Sequence, residues 1–302
     1  MAAETAARAS EPTVLFCVGA TKAGTSWLYQ FLQDHPGCHV RTIKELHYFD
    51  ALEKTSKAWQ IKVFQTQKDV VMARIGDGRF ADTSRLARRA ADFDDLLSLH
   101  RCGVEDITGY LAYLNKGRRD ETVVADVTPA YSLLPVARLR QMGRVARRVR
   151  FIYILRDPVA RLWSHIRMNA GRRSGDPDEL QARARRMFWS YGRGQQAGIQ
   201  ARGDYRGALE RLGAALRPSQ LLVLFYEELF SNEAVNRICE FLGLPRQQAA
   251  LQVPVNVGPS APMSKTQRQH ARGWLADQYV YVQGALDRVP DAWRANMTEG
   301  RR

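Results

Sequence analysis

The sequence of 302 residues predicts an α/β fold of three layers, in which helices flank a central parallel sheet. Four short apolar runs alternate with stretches of helical periodicity, as in a chain that returns to one sheet after each helix. The runs are apolar throughout instead of alternating with polar residues, which is typical of parallel strands covered on both faces. Polar motifs follow the runs, and in such folds ligands bind beyond the carboxyl ends of the strands.

The apolar runs give the predicted strands, and the periodic stretches give the helices. Strands are predicted at Val14–Val18, Val123–Val127, Arg150–Leu155 and Leu221–Phe225. The first helix is predicted over Ser26–His35, with Thr25 or Ser26 as its N-cap and Pro36 beyond its end. Residues 250–270 are rich in Pro, Gly and Ser and are predicted to form a loop. The other predicted helical segments are a helix from Pro158 onward, Asn232–Leu242 with its stop at Gly243, patches within 51–120, and His270–Arg294.

Composition and charge indicate a folded protein with a basic surface. Hydrophobic residues make up 45% of the sequence, enough for a sizeable core, so global disorder is excluded. The net charge of +14 favours anionic partners such as nucleic acid, anionic lipid, or phosphorylated or sulfated small molecules. The arginines are scattered, however, so an arginine-rich surface without a partner explains the charge equally well. One domain is predicted over residues 12–302, after a disordered tail at 1–11.

The sequence gives no sign of a membrane span, a secretory signal or a disulfide framework. No apolar run approaches the roughly 18 residues of a membrane span, and the N-terminus lacks the apolar region of a secretory signal. The four cysteines show no CxxC spacing, and we interpret them as buried thiols, not as metal ligands or disulfides. A cytoplasmic location and no metal site are therefore predicted.

A glycine-bearing turn, VGATKAGTSWL at residues 18–28, lies between the first strand and the first helix. Such a turn presents backbone N–H groups and the positive end of a helix to an anion. Its glycines are spaced as in the nucleoside-triphosphate P-loop, G-x-x-x-x-G-K-[ST], so a P-loop-like nucleotide fold is predicted. Thr25 and Ser26 stand where the P-loop has lysine and Ser/Thr, and Lys22 lies two residues before Gly24. The displaced lysine leaves the identity of the anion open.

A second polar motif, L-R-D-P at residues 155–158, follows the third predicted strand. Arg156 ends that strand, and Ser164 lies eight residues later in the next helix. The planar guanidinium of an arginine is suited to phosphate oxygens. An R-D-P turn after a strand is also a common structural feature. It indicates a phosphate site here only in combination with the glycine-bearing turn.

Together the two motifs resemble those of the sulfotransferases that use 3′-phosphoadenosine 5′-phosphosulfate (PAPS). T-K-A-G-T-S-W-L at 21–28 resembles their 5′-phosphosulfate loop, and L-R-D-P with its later serine resembles their 3′-phosphate-binding segment. The resemblance extends through F-Y-E-E-L at 225–229 and F-L-G-L at 241–244, so that it covers roughly residues 13–265. It implies direct in-line transfer of a sulfuryl group.

The resemblance also implies which residues bind PAPS. Lys22 is expected to contact the 5′-phosphate and to neutralise charge on the leaving group. The other implied PAPS-binding residues are Ala23, Gly24, Thr25 and Ser26 at the 5′-phosphate, Trp27 and Tyr226 near adenine, and Arg156 and Ser164 at the 3′-phosphate.

A third motif, K-E-L-H-Y-F-D at residues 44–50, resembles the K-E-x-H-F-F-D segment of the glycan and heparan sulfotransferases, whose glutamate is the proposed catalytic base. The resemblance gives this role to Glu45, with His47 as a supporting polar residue. Sulfuryl transfer needs a base because the acceptor oxygen or nitrogen loses its proton as the new bond forms. From the residues alone, Glu45 and His47 would be interpreted as a surface carboxylate and a loop histidine.

Other segments depart from the family pattern. T-P-A-Y at 128–131 matches the glycan members, but Val127 stands where they have a lysine. Asp126 is interpreted either as an acceptor contact or as a strand-end N-cap. The R-K-G triplet with which cytosolic members close on the 3′-phosphate is absent from the sequence, and Lys265 and Ser260 are the candidates to replace it.

The sequence therefore predicts a bacterial-type PAPS-dependent sulfotransferase that acts on a hydroxyl or amine of a carbohydrate, lipid or secondary metabolite. The basic stretch 161–193 favours an anionic acceptor or a peripheral membrane-surface contact, or it is a solvated helix face. A P-loop-type kinase or NTPase is the main alternative, although the lysine position and the lack of a convincing Walker B site oppose it. A nucleic-acid-binding module is disfavoured because no groove-binding motif accompanies the charge. The joint presence of Lys22, Arg156, Ser164 and Glu45 opposes a catalytically inactive relative.

Overall fold

The computed structural model describes residues 11–53, 56–77, 82–172, 176–247 and 261–297. Within these residues one sheet is formed by five parallel strands in the spatial order β2-β3-β1-β4-β5. The strands are β1 (Thr13–Gly19), β2 (Cys38–His39), β3 (Val123–Val127), β4 (Val149–Leu155) and β5 (Leu221–Phe225). The predicted α/β fold with a central parallel sheet flanked by helices is confirmed.

Helices follow most strands and fill the segments between them. The α-helices are α1 (Thr25–Asp34), α2 (Tyr48–Glu53), α3 (Lys57–Gly76), α4 (Ser84–Arg101), α5 (Ile107–Asn115), α6 (Val136–Met142), α7 (Pro158–Gly171), α8 (Pro177–Gly192), α9 (Ala197–Ala201), α10 (Tyr205–Ala215), α11 (Asn232–Leu242), α12 (Lys265–Trp274), α13 (Ala276–Leu286) and α14 (Asp291–Arg294). Short 3₁₀ turns occupy Pro129–Leu133, Pro218–Gln220 and Tyr226–Glu228.

The central strand packs into the core on both faces. Every residue of β1 and β3 is buried, which explains why their sequences are apolar without alternation. Phe16 lies at the centre of an aromatic cluster. β1 pairs with β3 and β4, and β4 pairs with β5, all in parallel. The carboxyl ends of these four strands therefore meet at one edge of the sheet.

The first helix begins one residue earlier than predicted, because its N-cap is Gly24 and not Thr25 or Ser26. Gly24 has a φ of 90°, in the left-handed region that glycine adopts without steric cost. A Cβ at this position would lie 2.8 Å from Cδ2 of Tyr226. Both the turn and the close approach of the tyrosine ring require glycine here.

The predicted loop at 250–270 is wrong from Lys265 onward, because α12 begins there. The Ser264 hydroxyl accepts a hydrogen bond from the Gln267 N–H, and the Gln267 side chain accepts one from the Ser264 N–H. This capping box, S-K-T-Q in the sequence, starts the helix. Residues 248–260, with the candidate Ser260, lie outside the described residues, as do residues 1–10 of the predicted tail at 1–11.

Two further predictions concern cysteines and membrane segments. All four cysteines are free thiols, and Cys17, Cys38 and Cys239 are buried as predicted, whereas Cys102 is only partly buried. None of the helices in the described ranges combines the length and the apolar character needed to cross a bilayer.

The two-residue strand β2 was not predicted, since it is too short to produce a periodic signal.

Candidate active site

The turn after β1 forms a cradle for an anion. The N-terminus of α1 has no side-chain cap, so the N–H groups of Thr25 and Ser26, at its first two positions, have no intrahelical acceptor. Ala23 is fully buried, whereas Lys22 is half-buried with a positive φ of 71°. Non-glycine residues with positive φ are costly and concentrate at binding and catalytic sites.

The two predicted anion-binding motifs touch each other. Arg156, at the end of β4, donates from Nη1 to the carbonyl oxygen of Lys22 at 3.1 Å. Its guanidinium lies over the Tyr226 ring, 4.3 Å from the centroid, and its buried Nε has no hydrogen-bond partner among the described residues. Arg156 is therefore held by the loop and the tyrosine with donor capacity left for a ligand.

The charge environment of the loop is cationic. Burial lowers the pKa of the Lys22 ammonium, and the nearby cations of Arg156, Lys44 and Arg167 lower it further, while Glu45 opposes them. A site with several cations and few anions favours a ligand with more than one negative charge.

Three other predicted site residues lie apart from the contact between Lys22 and Arg156. Ser164 is half-buried in α7, and Lys265 is exposed at the first position of α12. Trp27 is 5% exposed, and its ring packs on Phe31 and Phe230. In the described part of the chain, no hydrogen bond or ring contact joins any of the three to Lys22 or Arg156.

The segment that carries the predicted base lies between the anion loop and β3. The Glu45 N–H donates to the carbonyl oxygen of Val127 at 3.1 Å. Glu45 and His47 both have positive φ values, of 63° and 50°, so the backbone here is strained. The hydrogen bond to β3 thus fixes the position of the Glu45 backbone, from which the side chain extends.

Lys44, which was not among the predicted site residues, connects this segment to the loop. Its Nζ donates to Thr25 Oγ1 at 3.3 Å and to Glu45 Oε1 at 3.0 Å. The only signal in the sequence was its position next to Glu45, because the contact with Thr25 depends on the fold.

The two candidate catalytic side chains form an ion pair. Partial burial opposes ionisation of Glu45, but the hydrogen bond from His47 and the charge of Lys44 outweigh it and lower the pKa of Glu45 to about 2. His47 Nδ1 lies 2.8 Å from Asp50 Oδ2, and His47 Nε2 lies 3.7 Å from Glu45 Oε2. Burial disfavours the imidazolium, yet the hydrogen bonds to Asp50 and Glu45 raise the pKa of His47 to about 9. At neutral pH Glu45 is therefore ionised and His47 is protonated.

Asp126 is neither an acceptor contact nor an N-cap, the two roles considered from the sequence. Its carboxylate is 1% exposed and accepts hydrogen bonds from the hydroxyls of Thr128, Tyr110 and Tyr131 at 2.6 to 2.9 Å. The N-cap of the following 3₁₀ turn is Thr128 instead. Burial raises the pKa of Asp126 to about 6, although the three hydroxyls oppose the shift. Asp126 therefore links three hydroxyl groups in the core beneath the site.

A cavity of about 560 Å³ adjoins the base segment. Lys44, Glu45 and His47 line one side, and α3 lines another. Its volume is within the range of small-molecule sites. No sequence motif indicated this cavity, because α3 carries no catalytic pattern.

Comparison with known proteins identifies one family. The model of the "Sulfotransferase family" matches residues 12–248. A sulfotransferase structure from Alicyclobacillus acidocaldarius is 21% identical, with a TM-score of 0.60, and the match covers 94% of this chain and 99% of that one. The sulfotransferase domain of the Synechococcus PCC 7002 olefin synthase is 16% identical, with a TM-score of 0.52 and coverages of 93% and 97%. At these identities the two structures show a shared fold. The comparison with curated protein sequences gives no match.

Proposed function

The chain belongs to the sulfotransferase family, and we propose that it transfers a sulfuryl group from PAPS to a hydroxyl or amine of a small-molecule, lipid or carbohydrate acceptor. One observation is the main support for PAPS as the sulfuryl donor. Arg156 donates to the Lys22 carbonyl, so the anion loop after β1 and the arginine after β4 form one site. A ligand with two separate anionic groups suits such a site.

The residues of the site fit such a ligand. The uncapped N-terminus of α1 offers N–H donors, and Gly24 keeps side-chain bulk out of the loop. The orphaned Nε of Arg156 is a buried donor that needs an acceptor. When bound, PAPS supplies the sulfuryl group and leaves as 3′,5′-ADP. The residues that would hold it are Lys22, Ala23, Gly24, Thr25 and Ser26 at the 5′-phosphate, Arg156 and Ser164 at the 3′-phosphate, Trp27 and Tyr226 near adenine, and Lys265.

Glu45 is the proposed general base. It is ionised at neutral pH and lines the cavity in which an acceptor would lie. Its carboxylate would take the acceptor proton as the new bond to sulfur forms. A pKa of about 2 makes Glu45 a weak base as long as Lys44 and His47 hold it. An anion that draws the Lys44 ammonium away from Glu45 would raise this pKa and strengthen the base.

Lys22 and His47 have supporting roles in the proposal. The half-buried Lys22 ammonium would offset negative charge on the leaving phosphate, where a fixed cation stabilises the transition state. The protonated His47 is held by Asp50 and orients the Glu45 carboxylate. His47 carries a proton already and is not the base at neutral pH.

A transfer assay tests the proposal. The protein is incubated with PAPS that carries radioactive sulfur and with a panel of hydroxyl and amine acceptors, and both label transfer and 3′,5′-ADP release are followed. Glu45→Gln should lower turnover by about 10²- to 10⁴-fold, whereas Glu240→Gln, a matched change on the exposed side of α11, should not. Phosphate transfer from ATP, with no 3′,5′-ADP released from PAPS, would favour the kinase alternative.

A further inference from the structure

Three of the residues with which α3 lines the cavity form an apolar stripe. Trp59, Val63 and Val70 are spaced by four and seven residues, which puts them on one face of the helix. Trp59 is 64% exposed and Val70 is 50% exposed. The helix packs into the protein through Phe64 and Val71, which are 2% and 6% exposed and lie at the base of the same cavity. The stripe of Trp59, Val63 and Val70 is therefore free to contact a ligand in the cavity.

The same cavity carries a surplus of positive charge. Arg74, Arg89 and Arg172 line it, and none of them forms an ion pair with a carboxylate in the described part of the chain. The acidic lining residue Glu45 is already paired with Lys44 and His47. The three arginines are thus available to an anionic group.

One arginine at the cationic end of the cavity contacts the segment that carries the proposed base. Arg89 donates to the carbonyl oxygen of Thr42, three residues before Glu45. Three residues of extended chain span at most about 10 Å. Arg89 and Glu45 also line the same cavity, so an anionic group held by Arg89 would lie in the cavity that the proposed base faces.

The apolar stripe runs away from this end. α3 and α4 are antiparallel, since Lys68 pairs with Asp94 and Gln65 accepts a hydrogen bond from Arg101, so Arg74 and Arg89 lie toward the same end. Trp59 precedes Arg74 by 15 residues, or about 22 Å along the helix. The cavity thus has two arginines at one end, and the apolar stripe extends from them along α3, beside the polar lining residues Gln60, Thr66 and Gln67.

We propose that the acceptor is an anionic amphiphile: a single molecule whose head carries a negative group beside the reacting hydroxyl or amine and whose apolar body lies along Trp59, Val63 and Val70. This inference rests on the proposed function, since it assigns the cavity beside Glu45 to the acceptor. The arginines bind the negative group, and the stripe removes the apolar body from water, which favours the complex.

Direct binding of model amphiphiles tests the inference without turnover. Dodecyl phosphate, dodecyl maltoside and dodecyltrimethylammonium share one chain and differ in head charge. Each is titrated calorimetrically below its micellar concentration. The phosphate should bind at least about tenfold more tightly than the other two, a difference of about 1.4 kcal/mol. Equal binding of the three heads would overturn the inference.

Matched variants separate the cavity from the rest of the surface. Val70→Asp should weaken dodecyl phosphate binding about tenfold or more, whereas Val104→Asp, at a valine that is 71% exposed outside the cavity, should not. Arg74→Glu should remove the preference for the phosphate head, whereas Arg88→Glu, on α4 but outside the lining, should retain it. Equal effects within either pair would refute the assigned cavity.

Two other occupants of the stripe give different results. If α3 bound a membrane surface, anionic vesicles would bind and monomeric dodecyl phosphate would not. If it bound a second copy of the chain, Val70→Asp would change the sedimentation of the free protein. Binding of 3′,5′-ADP, measured in parallel, should be unchanged in Val70→Asp and Arg74→Glu. Its absence in the wild type would refute the proposed function, whereas failure of the head-group preference alone would refute only the acceptor class.

Discussion

Arg156 donates a hydrogen bond to the carbonyl oxygen of Lys22 at 3.1 Å, across 134 positions of sequence. The contact exists because β1 and β4 are neighbours in the sheet and end at the same edge. Arg156 also lies on the ring of Tyr226, which follows β5. Three strand ends thus hold one arginine in place before any ligand binds. Such preorganisation reduces the entropy lost on binding.

Gly24 should be intolerant of substitution. Gly24→Ala places a Cβ 2.8 Å from the Tyr226 ring at a residue with φ of 90°. We expect a loss of about 1–2 kcal/mol in the free energy of unfolding from the left-handed backbone, and weaker binding of 3′,5′-ADP. Urea denaturation and calorimetry measure the two effects.

Gly273→Ala is the matched control for Gly24→Ala. Gly273 lies within α12, and a Cβ there meets no atom within 4 Å. This change should leave nucleotide binding unaltered and stabilise the helix by roughly 0.5–1 kcal/mol. If both alanine variants bound 3′,5′-ADP like the wild type, Gly24 would not be needed for the anion cradle.

Asp126 should contribute to stability more than to nucleotide binding. Asp126→Ala leaves three buried hydroxyls without their acceptor, and we expect it to lower the free energy of unfolding by about 3 kcal/mol or more. Asp291→Ala, at an exposed carboxylate, should have an effect within about 0.5 kcal/mol. A destabilisation no larger than that of Asp291→Ala, measured by urea denaturation, would contradict the role in the core.

Asp126 should also make stability fall with rising pH. Its pKa is about 6 in the native state and 3.8 ordinarily, so the native state binds more protons between these values. The free energy of unfolding from this group is therefore largest below pH 3.8 and is lost as the pH rises through about 6. Asp126→Asn should remove this slope from a pH series of denaturation curves. A slope unchanged by Asp126→Asn would mean that another group titrates.

His47 should have a second effect on stability at higher pH. Its raised pKa of about 9 means that its ion pair stabilises the native state fully below the ordinary value of 6.5. That stabilisation is lost as the pH rises through 9. His47→Gln should reduce the decline in the free energy of unfolding between about pH 7 and 9. His270→Gln, on the exposed face of α12, should leave this decline unchanged. A decline that persists in His47→Gln would rule out the ion pair as its cause.

The sequence predicted the parts of the structure that depend on local pattern. Apolar runs located the four longer strands, and the parallel sheet then placed Lys22 and Arg156 at one edge. The hydrogen bond from Lys44 to Thr25 and that from Tyr110 to Asp126 join residues 19 and 16 positions apart, so no local pattern reports them. The stripe on α3 has helical spacing, which is the same for a core-facing and a cavity-facing stripe. Only the exposed fractions of its side chains show that it faces a cavity. Exposure is a property of the folded chain.

Nucleotide binding tests the central claim most directly. Calorimetry compares 3′,5′-ADP with 5′-AMP and with ATP in the absence of magnesium, for the wild type, Arg156→Ala and the exposed-arginine control Arg206→Ala. We predict that the wild type and the control prefer 3′,5′-ADP, and that Arg156→Ala loses about tenfold to a hundredfold in its affinity. Equal binding of the three nucleotides, or an Arg156→Ala variant that keeps the preference, would contradict a PAPS site at Lys22 and Arg156.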